Sequence, residues 1–180
     1  KMILNFIKRS LSYVIRKFNL ADLDGYIYER RMELAVQIDQ KHNSTIQYGP
    51  FKGMLLSRGD WWGKIDRPSM IYGFYEQEVL ESLTKDRGKF KTLIDVGAAD
   101  GYYAIGGIIS KTFEKSICYE IAEEGQNQIR KNAKLNNVSD KVEIRGEAKR
   151  NFYDDFSQEE LSSSIILMDI EGVEFDLFAQ

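Results

Sequence analysis

From Lys91 onward, short apolar runs alternate with segments of helical character, and this alternation constrains the fold more than any other feature of the chain. Lys91 to Val96 reads as a strand that closes in a glycine loop, and Tyr102 to Ser110 as a helix rich in small and apolar residues. Lys115 to Glu120 is a second strand, Ala122 to Leu135 a polar helix, Val142 to Arg145 a third strand and Ser164 to Ile170 a fourth. Strands separated by helices pair in parallel through right-handed crossovers, so the expected fold is α/β with a Rossmann-like parallel sheet. The sheet reads as truncated after its fourth strand.

Residues 1–72 read as an N-terminal helical and β-hairpin extension, and 73–180 as the sheet domain. Leu4, Ile7, Leu11, Val14 and Phe18 recur at helical spacing, with Lys8, Arg9, Arg16 and Lys17 on another face. Those cations interrupt any apolar run of about 20 residues, so no membrane span is expected. Docking on its own domain or on a second subunit is preferred to an anionic membrane surface, and a homodimer contact, if there is one, falls here. A second helix runs from about Asp22 to Gln40, with Ile27, Leu34 and Ile38 facing inward. Lys41 to Thr45 reads as a polar connector in which His42 is solvated. Between Ile46 and Phe74 aromatics and glycines predict short antiparallel strands or a hairpin, with Gly59-Asp60 as a turn and Trp61-Trp62 packed against a helix. Glu76 to Lys85 reads as a helix leading into the sheet.

At 180 residues and 43% hydrophobic, the chain buries one core. The net charge is −3, and every charged residue from Asn151 to Gln180 is acidic, so no nucleic-acid partner is expected. The single cysteine, Cys118, allows no intrachain disulfide, fits a reducing cytoplasmic setting and reads as a buried structural thiol. One histidine and one cysteine assemble neither a Cys/His zinc site nor a persuasive Ser-His-Asp arrangement, and no metal site is predicted.

The chemistry concentrates in Asp95-Val96-Gly97-Ala98-Ala99-Asp100-Gly101. Gly97 and Gly101 lie where strand turns into helix, and the absence of side chains there lets a ligand approach the backbone. The spacing G-x-x-x-G differs from the G-x-G-x-x-G of pyrophosphate-binding loops. Asp95, two residues before the first glycine, suits a cationic ligand and repels a pyrophosphate. Glu120 ends the second strand, where a carboxylate accepts hydrogen bonds from both hydroxyls of a ribose.

With these motifs the chain resembles the class I S-adenosylmethionine-dependent methyltransferases, most closely the FkbM-type family. Asp95 to Tyr103 is similar to that family's D-V-G-A-N-x-G-Y-Y, and Asp169-Ile170-Glu171-Gly172-Val173-Glu174 to its D-x-E-G-x-E. Gly73-Phe74-Tyr75-Glu76 and Lys131 to Asn136 add to the likeness, which spans Gly73 to Phe178. Ala99 departs from the usual Asn, Asp100 from a residue that is often apolar, and Leu167 from a lysine found in many members.

The resemblance implies a methyl-donor site formed by Tyr75, Glu76, Asp95, Gly97, Ala98, Gly101, Tyr102, Glu120, Ile121, Glu147 and Asp169, with S-adenosyl-L-methionine as cofactor. Asp169 and Glu171 are the candidate catalytic residues, orienting an acceptor and removing its proton. Capping of the following helix is the bland alternative for both, and for Glu174. The expected activity is O-methyl transfer to a hydroxyl of a small molecule or glycan. Two rivals stand beside it: a catalytically silent S-adenosylmethionine-binding or assembly module, and a NAD-linked oxidoreductase.

Overall fold

The computed structural model describes residues 23–58, 63–170, 172 and 177. Its centre is a wholly parallel sheet of β1 (Thr92–Val96), β2 (Lys115–Tyr119), β3 (Val142–Arg145) and β4 (Ser164–Met168), in the order β3-β2-β1-β4. This is the 3-2-1-4 order that opens a Rossmann-type sheet, with the switch point beside β1. β1 is flanked on both sides, in register through Asp95 with Cys118 of β2 and Leu167 of β4. All five of its residues are buried, which explains its nearly continuous apolar sequence. The α/β parallel architecture is as expected, and each strand begins and ends within two residues of its predicted bounds.

Six α-helices accompany the sheet among the described residues: α1 (Leu23–Lys41), α2 (Arg67–Tyr72), α3 (Gln77–Lys85), α4 (Tyr102–Ile109), α5 (Glu123–Leu135) and α6 (Gln158–Ser162). α4 lies against β1 and β2 and carries Gly106 and Gly107, both buried. These glycines make room for aromatic rings. A Cβ on Gly106 would overlap the Phe51 ring, and one on Gly107 would press on Phe113 at 2.7 Å. Phe51, only 1% exposed, also meets Tyr102 edge to face at 5.2 Å. Ile46, Phe51, Met54, Leu56 and Ile71 share one buried cluster with Tyr102, Ile105 and Ile108 of α4, so these residues and the sheet's first helix are packed on a common core.

Among the described residues the strands expected between Ile46 and Phe74 are reduced to one antiparallel bridge, Thr45 with Leu55, and the segment from Arg67 to Tyr72 is helical. Two features account for the difference. Gly49 and Gly53 take left-handed backbone angles that fold the chain back tightly around Phe51. Pro68, in the first turn of α2, favours helix initiation there. Beyond that bridge, where the Leu56 N–H donates to the Ser44 carbonyl at 2.8 Å, Leu55–Ser57 is tied to side chains of α5 and its C-cap. Asn136 accepts from the Leu55 N–H at 2.8 Å and donates to its carbonyl at 2.7 Å, and Asn132 accepts from the Ser57 N–H at 2.7 Å. Gly59-Asp60 and Trp61-Trp62 lie outside the described residues, as does the amphipathic pattern of residues 1–20.

α1 spans the predicted range, but of its three expected inward residues only Ile38 packs on the core. Ile27 and Leu34 are exposed, whereas Ala35 is buried and Ile38 half-buried against the core cluster. The helix is fixed by polar contacts as well: Arg67 Nε donates to Asp39 Oδ1 at 2.9 Å, and its Nη2 to the Leu56 and Ser57 carbonyls at 3.2 and 2.6 Å. His42 is not the solvated connector residue expected, because its ring packs edge-on against Tyr72 at 5.4 Å. Cys118 is fully buried, and burial pushes its thiol well above the usual range.

Phe51 is the strongest test of this packing. Phe51→Ala is expected to cost about 3–5 kcal/mol of stability, read from urea unfolding, because it empties a site that α4 glycines are shaped to receive. Gly106→Ala is expected to destabilise the chain too, and less so when Phe51→Leu is introduced with it.

Candidate functional site

The loop between β1 and α4 carries three left-handed residues in five: Gly97 at φ 86°, Ala99 at 51° and Gly101 at 81°. The two glycines do not make room for a ligand as the sequence implied. A Cβ on Gly97 would overlap the Asp169 carbonyl oxygen, and one on Gly101 would crowd Ile105 at 3.1 Å and Ile129 at 3.3 Å. Gly97 therefore lets the end of β4 close on β1, where the Asp169 N–H donates to the Val96 carbonyl at 2.9 Å. Gly101 lets α4 seat against α5.

Ala99 is held in its unfavourable conformation by hydrogen bonding. Its N–H donates to Glu120 Oε2 at 2.9 Å, and the other Glu120 oxygen accepts from the Ala122 N–H at 2.8 Å. Gly97 and Ala98 both donate to the Tyr119 carbonyl. The loop is thus clamped to the carboxyl end of β2.

Above this edge opens a cavity of about 1100 Å³. Of the eleven residues predicted for the donor site, all but Gly101 line it. Tyr75 and Glu76 form a wall from the start of α3. Asp95, Gly97, Ala98 and Tyr102 form its base, Glu120 and Ile121 follow β2, Glu147 follows β3, and Asp169 follows β4. Asp169 is exposed at the mouth. Glu171 and Glu174 lie outside the described residues.

The sequence reading missed several lining residues. Tyr103 shares the wall with Tyr75, and its hydroxyl hydrogen-bonds Glu76. Tyr119 faces the cavity while its hydroxyl accepts from Arg145 at 2.7 Å. Tyrosines in a helix start and a strand read equally well as core, so nothing in their spacing singles them out. Burial and the neighbouring carboxylates push the Tyr75 hydroxyl up to about 12, and Tyr102 and Tyr103 are raised as well, so all three stay protonated donors at neutral pH.

The electrostatics are dominated by carboxylates. Asp95 is 3% exposed and its Oδ2 has no hydrogen-bond partner. Burial first, then the nearby Asp100, with Asp169 and Glu120 adding to it, raise its carboxyl to about 7. Asp100 is buried too, and burial raises it. Its Oδ1 accepts from the Tyr102 N–H at 3.1 Å, so a protein carboxylate already serves the start of α4 that an anionic ligand group would use. Among the described residues no group of three or more His, Cys, Asp or Glu side chains is placed to hold a metal ion. No described helix is long and apolar enough to cross a membrane.

No protein-family model matches the chain, and no curated protein does. Parts of it are similar to solved structures. An RNA methyltransferase from Salinibacter ruber in complex with S-adenosyl-L-homocysteine shows 27% identity over 39% of this chain and 46% of its own, at a TM-score of 0.33. An O-methyltransferase family protein from Burkholderia thailandensis shows 15% identity over 46% of this chain and 25% of its own, at 0.35. The O-methyltransferase from Bacillus cereus in complex with the same product shows 17% identity over 82% and 60%, at 0.37. The chain spans 25% to 60% of the length of these proteins. At such TM-scores the likeness carries no weight of its own.

Two outcomes follow from the site as built. The Asp95 carboxyl, raised from 3.8 to about 7, binds a proton in the folded chain that the unfolded chain has released. Its contribution to stability is therefore greatest below about pH 4 and is lost as pH rises toward 7. Asp95→Asn is expected to stabilise the unliganded chain at pH 8 and to lose that advantage by pH 4, measured by denaturant midpoints. Ala99→Asn is expected to raise stability by up to about 1 kcal/mol, since Asn tolerates the left-handed region better than Ala.

Proposed function

We propose that this chain binds S-adenosyl-L-methionine at the carboxyl edge of its sheet and acts as a methyltransferase toward a hydroxyl of a small molecule or glycan. The observation that carries the proposal is the buried Asp95 carboxylate, with one oxygen unpartnered at the base of a cavity that also holds Asp100, Glu120 and Asp169. Such a cluster favours a ligand bearing positive charge and disfavours one bearing phosphates. When bound, S-adenosylmethionine supplies an electrophilic methyl group on a cationic sulfur. The fit of the residues to it is specific. Asp95 offers its free oxygen to a cationic group, and Glu120, though held by two backbone amides, keeps a second lone pair on each oxygen for ribose hydroxyls.

The volume supports a second ligand. About 1100 Å³ exceeds the roughly 300–1,000 Å³ typical of a pocket for one drug-sized molecule, which leaves space for an acceptor beside the donor. Asp169, exposed at the mouth just beyond β4, is the residue proposed to orient an acceptor hydroxyl and to take its proton as the new bond forms. Glu171 is the second candidate for that role on sequence resemblance. The FkbM-type kinship and a cytoplasmic location remain part of the same proposal. Occupation of the α4 start by Asp100 argues against the NAD-linked alternative, because a pyrophosphate would meet a buried carboxylate there.

Calorimetry tests the donor claim. S-adenosylmethionine is expected to bind and NAD not to, with Glu120→Ala weakening the donor by about tenfold or more through loss of charge-assisted hydrogen bonds. A cation beside Asp95 lowers its carboxyl, so binding near pH 7 is expected to release a proton. Heats measured in buffers of different ionisation enthalpy reveal that release, and affinity is expected to rise with pH between 6 and 8. A folded wild-type chain that fails to bind the donor overturns the proposal.

A further inference from the structure

α5 presents a polar stripe inward. Gln128, Asn132 and Asn136 recur every fourth residue and so lie on one face of the helix, against Leu55–Ser57. Gln128 hydrogen-bonds the Ser57 hydroxyl, and Asn136 pairs with both backbone groups of Leu55. These contacts extend the pairing that the segment begins with Ser44 and Thr45, and they alone would be structural.

Asn132 does more than the other two. It is fully buried, and its two side-chain atoms face opposite ways: Oδ1 accepts from the Ser57 N–H at 2.7 Å, while Nδ2 donates to the Asp100 carbonyl at 2.8 Å. Asp100 is a loop residue that lines the cavity, and its peptide adjoins Ala99, the strained residue held by Glu120. One amide therefore joins the segment at 55–57 to the loop that forms the cavity's base.

We propose that Asn132 is a positioning residue for the cavity loop, fixing the Asp100 peptide, and with it the charge presented beside Asp95, through its hydrogen bond to the Asp100 carbonyl. The proposal rests on the donor assignment above. A buried amide donor is costly to leave unpaired and costly to remove from a buried acceptor, so the loop is held where that bond can form. Asn136, one turn along the same face, touches the same segment and has no contact with the loop.

Matched substitutions separate the two roles. Asn132→Asp keeps an acceptor for the Ser57 N–H and withdraws the donor from the Asp100 carbonyl. Asn136→Asp makes the same chemical change without touching the loop. Calorimetry with S-adenosylmethionine, and competition measurements with adenosine, are the readouts. Asn132→Asp is expected to weaken S-adenosylmethionine by about tenfold or more and adenosine, which meets Glu120 but not Asp95, by less than about twofold. Asn136→Asp is expected to leave both within about twofold. If Asn132→Asp does not fold, the pair Asn132→Ala and Asn136→Ala is compared in the same way.

Equal losses from the two positions, equal losses for the two ligands, or unchanged donor binding in the Asn132 variant overturns the positioning role while the donor assignment stands. Failure of the folded wild-type chain to bind S-adenosylmethionine overturns both.

Discussion

The Glu120 carboxylate, buried between the amides of Ala99 and Ala122, is the contact on which the shape of the site depends. Ala99 has a side chain that disfavours its backbone angles by about 1–2 kcal/mol, so the conformation persists only because its N–H has a charged acceptor. Once Ala99 is fixed, the loop passes Gly97 beneath the end of β4 and delivers Gly101 to the junction of α4 and α5. Asn132 secures the same loop from its far side, at the Asp100 carbonyl. The loop is thereby held on opposite sides by two buried polar side chains from elements that follow it in the sequence.

The carboxylates of the cavity differ in how far the protein satisfies them. Glu120 accepts two backbone amides and Asp100 accepts one, so both are partly compensated for their burial. Asp95 retains an oxygen with no partner, in a setting where an unpaired charge is expensive. Its raised carboxyl is the physical response: burial, and then the neighbouring Asp100, Asp169 and Glu120 carboxylates, favour the protonated form. A fold that retains such a group on its most buried strand gives up stability that an apolar residue would supply. A departure of this kind from ordinary core rules marks a site shaped for something other than folding.

The sheet was legible in the sequence because its strands are short apolar runs bounded by glycine and polar residues, and because helices of different character separate them. The carboxylates were legible for a related reason: Asp95, Glu120 and Asp169 each stand at or beside a strand end, where a charged residue interrupts an apolar run. Segment 46–72 was not legible. Its aromatics and glycines have the composition of a hairpin, yet Phe51 points into a hole made by Gly106, more than fifty residues away. Three of the backbone hydrogen bonds of Leu55–Ser57 end on Asn132 and Asn136, about eighty residues downstream by sequence. Local periodicity cannot reveal a partner that exists only after α5 has packed. The inward face of α1 failed similarly, since α2 and the Arg67–Asp39 ion pair, and not the apolar period, set how that helix lies.

The glycines give the sharpest lesson about reading such a site. Glycines after a first strand are ordinarily taken as space for a ligand, and here the space is filled by protein: the Asp169 carbonyl at Gly97, Ile105 and Ile129 at Gly101. Their contribution to binding is indirect, since they allow β4 and α4 to approach closely enough for Asp95, Asp100 and Asp169 to converge on one cavity. The pattern of glycines accordingly reports a way of packing that different cofactors share. Discrimination lies in the acids that this packing gathers, and chiefly in whether the first turn of α4 is left open to an anion or, as here, occupied by Asp100.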